Sequence, residues 1–231
     1  MPVIKKKTET KTKAKPEQAK FKFSEGRIKW SEFREKWKDC EACPLHTTRH
    51  RIVLAKGSVP CDVLFVGEAP GKSEDTAGLP FHGPAGKLLD EMVDEATKDF
   101  IVGELCDDDV EPFRPRVAYT NILCCIPAEE DGTKIENLGE HPHAAEYAKA
   151  CSARLVEFIT RVAQPKLVVC VGKYSTKYLK KFVPHRDFQY VEITHPAAIL
   201  RADVGQKGLL MQRNIVALRD AFEALLEVKS C

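Results

Sequence analysis

Apolar residues alternate along this chain between two rhythms. Residues 62–67 form a short, nearly unbroken apolar run that stops at a glycine, the mark of a strand buried on both faces. Residues 117–121, 166–171 and 188–193 read as three more strands, and the run ending at Val171 again meets a glycine. Between the strands the spacing becomes helical. Pro84 opens one helix, as proline does at a first turn, and Leu88, Leu89, Met92, Val93 and Ala96 form its apolar stripe. Residues 143–163 repeat that spacing with Leu155, Phe158, Ile159 and Val162, and residues 206–228 make a last helix. Shorter helices are predicted over 31–39, where Phe33 and Trp37 stand four apart, and over 175–182. Residues 67–83 and 126–141 read as loops. Strands alternating with helices predict an α/β fold, a three-layer α/β/α arrangement on a central, mainly parallel, four-stranded sheet. Ligands bind such sheets at the carboxyl ends of strands, so the loops starting at Glu68, Asn121 and His195 are expected to form the site.

Composition changes this picture mainly at the ends. Seven lysines lie within the first 20 residues, so residues 1–24 are expected to be a disordered basic tail and residues 25–231 a single domain. The 231 residues carry a formal charge of only +2, which by itself does not announce a nucleic-acid partner. The tail can still add salt-sensitive attraction to a phosphate backbone. Asp107, Asp108, Asp109 and Glu111 form an opposing acidic patch. No apolar run reaches 18 residues, so no membrane span is expected, and with no secretory-type segment after Met1 the expected location is the cytoplasm, at the nucleoid in a prokaryote.

Nine cysteines without a secretory context argue for metal or redox chemistry over a disulfide framework. Cys40 and Cys43 form a C-x-x-C pair ahead of Pro44, and Cys125 and Cys151 flank the polar loop, so the four together can ligate one centre. Such a set suits Zn²⁺ or an iron–sulfur cluster, and spacing alone does not choose. Cys124 competes with Cys125 as ligand, whereas Cys170 reads as a buried strand residue. The segment Gly67-Glu68-Ala69-Pro70-Gly71 lacks the dinucleotide fingerprint, and no P-loop occurs, which disfavours both nucleotide-binding folds.

Five features in order resemble the family 4, iron–sulfur, uracil-DNA glycosylases. They are Cys40-x-x-Cys43 with Pro44-Leu45; Gly67-Glu68-Ala69-Pro70-Gly71 with Glu74-Asp75 and Pro80-Phe81; Thr120-Asn121-Ile122 leading to Cys125; Cys151; and His195-Pro196-Ala197 with Leu200-Arg201. The resemblance implies a monomeric glycosylase that flips a uracil out of double- or single-stranded DNA and hydrolyses its N-glycosidic bond. It implies a structural [4Fe–4S] cluster on Cys40, Cys43, Cys125 and Cys151. It also implies a base pocket of Glu68, Ala69, Gly71, Phe81, Asn121 and His195. There Phe81 stacks on the base, Asn121 pairs with its edge, and His195 stabilises charge on the departing oxygen. Leu200 and Arg201 are implied to enter the gap and hold a phosphate of the DNA.

Several positions depart from the pattern. Ala69 stands where a related family carries a water-activating Asp, which leaves Glu74 as the candidate for positioning water, alongside Asn121 and His195 as catalytic residues. Gly71 replaces a Tyr that blocks the pyrimidine C5 face in stricter relatives, which opens an alternative substrate, a 5-modified pyrimidine. Ile126-Pro127-Ala128 replaces the usual Arg-Pro-Pro, and the acidic loop that follows is expected to face away from DNA or to regulate access. No basic insertion suited to covalent capture of uracil is present. A non-catalytic DNA-binding homologue is the remaining reading.

Overall fold

The computed structural model describes residues 26–101, 115–183 and 188–227. The basic tail, the acidic patch at 107–111, Cys106 and Cys231 lie outside the described residues. The elements in chain order are α1 (Trp30–Trp37), β1 (Ala55–Gly57), β2 (Val63–Gly67), α2 (Lys72–Ala77), α3 (Pro84–Ile101), β3 (Val117–Asn121), α4 (Ala144–Glu157), β4 (Leu167–Val171), α5 (Lys173–Phe182), β5 (Gln189–Ile193), α6 (Pro196–Arg201) and α7 (Val204–Glu227). A π-helical segment, Phe158–Ala163, extends α4.

The sheet has five strands, in the order β1-β3-β2-β4-β5. Four are parallel, as expected, and the fifth corrects the four-stranded expectation. β1 pairs antiparallel with β3 at the sheet edge. Three residues, Ala-Lys-Gly, carry no legible period, so only pairing with β3 makes them a strand. Two short helices, α2 and α6, also formed where no apolar period announced them.

The central strands explain the layering. Leu64 and Val66 of β2, with Val168 and Cys170 of β4, face a core built with α1, α4 and α5. Val63 and Phe65, with Leu167, Val169 and Val171, face the opposite core of α3, α6 and α7. Both strands are fully buried, which is why they read as continuous apolar runs. Cys170 takes its expected place as a buried strand residue. From β2 the chain passes to β3 on one side, while β4 lies on the other. A parallel sheet opens a crevice at such a point, beyond the strand ends, here at Gly67, Asn121 and Gly172.

Candidate active site

Gly67 ends β2, and the segment after it closes back through α2 to Phe81. A Cβ at Gly67 would run into Asn121 Oδ1 and the Phe81 ring, so only glycine lets these two side chains meet there. Phe81 takes a left-handed backbone, φ 52°, unusual for a bulky residue and held from both sides. Its N–H donates to Glu74 Oε1, and its carbonyl accepts from Lys56 Nζ at 3.0 Å. Its ring packs 5.6 Å from Tyr119, whose face also carries the Lys56 ammonium. Gly86 lies against the Phe81 carbonyl, so α3 must begin with small residues.

Glu74 is therefore a clamp. Its Oε2 accepts from Gly71 N at 2.5 Å while Oε1 accepts from Phe81 N, tying the two ends of the loop together. Burial pushes its carboxyl up, and the backbone N–H groups pull it back. Burial likewise raises Glu68, opposed by the charges of Lys134 and Arg201. Asp75, next in α2, accepts the N–H groups of His50 and Arg51 at 3.0 and 3.3 Å and so docks the loop onto the segment after the C-x-x-C pair.

Asn121 ends β3 with 2% of its surface exposed. Its Nδ2 is buried without a hydrogen-bond partner. A side-chain amide in that state is unfavourable unless something else completes it. His195 caps α6. Its Nδ1 accepts from Ala197 N at 3.1 Å, which leaves the ring proton on Nε2. Burial, then the charge of Arg201, lowers its pKa to about 4, so the imidazole is neutral at physiological pH. Asn214 on α7 fixes the approach to this residue by bonding both the N–H and the carbonyl of Thr194, at 2.9 and 2.8 Å. Gly172 (φ +91°) packs against His195, so the end of β4 also sets the ring.

A cavity of about 920 Å³ opens over these strand ends. Glu68, Ala69, Gly71, Glu74, His195 and Arg201 line it, while Phe81 and Asn121 lie outside that lining, buried at Gly67. Leu200 is 40% exposed on α6 and is also outside the lining. The loop at 126–141, expected to face away from DNA or to regulate access, supplies a wall of the cavity through Lys134, Ile135, Glu136 and Asn137. Lys173, Lys177 and Arg213 add positive charge to the lining.

Cysteines from separate segments meet on the α4 side of the sheet. Cys124 Sγ lies 3.9 Å from Cys151 Sγ. Arg49 donates to the Cys40 carbonyl at 2.6 Å and to Cys125 Sγ at 3.3 Å. α1 is pinned nearby, with Trp37 Nε1 and Lys36 Nζ bonding Glu157 at 2.6 and 2.8 Å. Donation to Cys151 and burial push the Cys43 thiol up, and Cys125 is pulled down by the Cys124 proton and by Arg49. Among the described residues no three His, Cys, Asp or Glu side chains are disposed to hold a single metal ion.

The family model described as Uracil DNA glycosylase superfamily matches residues 55–219. This chain belongs to that superfamily. A protein named Type-4 uracil-DNA glycosylase from Sulfurisphaera tokodaii is 34% identical over 140 residues, 61% of this chain and 53% of that one. Those of the same name from Saccharolobus solfataricus and Pyrobaculum aerophilum are 31% identical over 144 residues and 28% over 183. They are covered over 56% and 81% of their lengths, and this chain over 62% and 71%. The matched part thus spans about half the length of the first two. The crystal structure titled WT Pedobacter heparinus SMUG2 aligns with TM-score 0.47 and 16% identity, over 71% of this chain and 76% of that one.

Within this uracil DNA glycosylase superfamily member, the three expected loops do converge. Of the cysteines, Cys124 meets Cys151, and Cys125 meets Arg49, which also bonds the Cys40 carbonyl. Sequence reasoning passed over Lys56, Arg49, Asn214 and Arg154. Arg154 had a signal, since it is a charged residue in the same helical stripe as Cys151, Leu155 and Phe158.

Proposed function

We propose that the chain is a monofunctional DNA glycosylase of base excision repair, which removes uracil from DNA by hydrolysis of the N-glycosidic bond and leaves an abasic site. The observation that carries this reading is the unpartnered, buried Asn121 Nδ2 at the end of β3, together with a neutral His195 at the start of α6. Uracil's O4 is the acceptor that amide lacks, and its N3–H suits Oδ1. A cytosine presents the reverse pattern and would leave both groups unsatisfied. His195 Nε2–H donates to O2 as negative charge grows there, without carrying charge itself. Phe81 stacks on the extruded base. Arg201, with the lysines of the cavity wall, holds the phosphates, and Leu200 fills the vacated space.

Glu74 acts in this scheme by holding the loop that presents Phe81, since both its oxygens already accept backbone N–H groups. Departure of the base therefore leads, and water captures the sugar afterwards. The backbone of Ala69 and Gly71 approaches the flipped nucleotide. The cysteines fit a [4Fe–4S] cluster: they form a soft, all-thiol donor set from three chain segments, with Arg49 aimed at one sulfur. Cys40, Cys43, Cys125 and Cys151 would hold it. Bound there, it would supply structural cross-linking of the N-terminal segment to the sheet.

The test is abasic-site formation on matched duplexes and single strands containing uracil, cytosine or a 5-substituted uracil. Uracil release by the wild type, lost in Asn121→Ala and His195→Ala, is the expected result. Activity retained in both variants would overturn the site assignment. The 5-substituted arm is included because a Cβ at Gly71 would meet only Glu74 Oε2, at 3.4 Å, leaving space beside the base.

A further inference from the structure

Arg154 is the largest side chain among those fully buried, at 1% exposure. Its Nη1 donates to Thr120 Oγ1 at 3.1 Å, and its Nη2 donates to the carbonyls of Asn121 and Ile122 at 2.7 and 3.0 Å. Thr120 donates its own proton to the Leu54 carbonyl at 2.7 Å, so the fork from α4 grips the end of β3. Every acceptor is neutral. Among the described residues no carboxylate pairs with this guanidinium, and its Nε has no partner.

A buried arginine cannot shed its charge, so neutral acceptors satisfy its N–H groups and leave the charge itself uncompensated. The neighbouring chain suggests where compensation comes from. Cys151 lies one helical turn before Arg154 on α4, and Cys124 lies three residues beyond Asn121, with the two sulfurs 3.9 Å apart. A cluster held by four thiolates is a net anion, and it would sit beside a cation that has no other counter-charge.

We propose that Arg154 is a positioning residue that couples the cysteine centre to base recognition, holding the Asn121 backbone on one side and answering the charge of the centre on the other. This rests on the glycosylase and cluster reading above. The centre then bears on substrate selection. When it is lost, Arg154 becomes an unpaired buried charge, and the strand end that aims the Asn121 amide loosens with it.

The experiment compares holo-protein of the wild type, Arg154→Lys and Arg154→Met. It reads iron and sulfide per chain, kcat and KM on uracil-containing DNA, and thermal stability before and after iron removal. Arg154→Lys keeps the charge but not the three-bond fork. It is expected to retain wild-type iron and sulfide while losing about 10- to 100-fold, in kcat rather than KM. Arg154→Met is expected to be less stable than wild type when loaded and more stable than wild type when stripped, because only the wild type is left with a buried unpaired cation. A merely structural arginine would not reverse that order. Wild-type kcat in Arg154→Lys, or a deficit in Arg154→Met that is the same with and without iron, overturns the proposal. Should Arg154→Met not fold, the kcat and iron content of Arg154→Lys decide. A wild type that carries no iron and sulfide, or releases no uracil, refutes the underlying reading instead, and the two failures are read separately.

Discussion

At the scale of single residues the site depends on groups whose protonation is set by burial. His195 has a pKa of about 4 in the fold against 6.5 for a free ring, so between those values the unfolded chain binds a proton that the folded ring refuses. Its contribution to stability is complete above about 6.5 and is lost as pH falls toward about 4. The expected result by ¹⁵N-histidine NMR is a neutral Nε2–H tautomer of His195 still present at about pH 5.5, one unit below the free-ring value. A ring charged at that pH would contradict the donor role. Glu74 makes the second case. Glu74→Gln places an amide where two backbone N–H groups need acceptors, at about 1.5–3 kcal/mol per charge-assisted bond lost. Urea denaturation should register that loss, together with weaker substrate binding as Phe81 leaves its left-handed conformation. An undisturbed midpoint would mean that the carboxylate does not hold the loop.

At the scale of elements, three strand ends and the turns after them form the candidate site, and glycine makes the approach possible. Gly67→Ala would push a methyl group into both Asn121 and the Phe81 ring. Excision is expected to fall by about 100-fold or more, as for a misplacement of roughly 1 Å in reacting groups, while the iron content stays that of wild type. Normal excision in this variant would remove Phe81 and Asn121 from the base pocket. The long elements were legible because each has a period: β2 and β4 are buried on both faces, and α3 starts at Pro84 as its sequence implied. β1 and α2 were not. β1 owes its strand to a partner 60-odd residues away, and α2 is a single turn or so, stabilised by Glu74 reaching back to Gly71. Neither cause is visible as periodicity in a local window.

At the scale of the whole molecule, Glu157 joins α1 to α4 through Lys36 and Trp37, and the proposed cysteine centre would tie α1 and its following turn to β3 and α4 as well. Chelating or oxidising away the iron should therefore free this segment. Limited proteolysis near residues 38–50 and a rise in the solvent exposure of Trp30 and Trp37 fluorescence are the expected outcomes. A stripped protein as resistant as the loaded one would deny the centre its cross-linking role. What the sequence by itself determined was the residue types and their order: the layered α/β class, the four cysteines, and the loops at Glu68, Asn121 and His195. Those follow from local period and motif spacing, which a chain carries without its partners. Only the tertiary structure decided that Glu74 is a clamp, that Asn121 keeps an unanswered amide, that the acidic loop walls the cavity, and that a buried Arg154 grips the end of β3. Each is a relation between segments distant along the chain, where hydrogen bonds and charges find or fail to find partners only once the layers have packed.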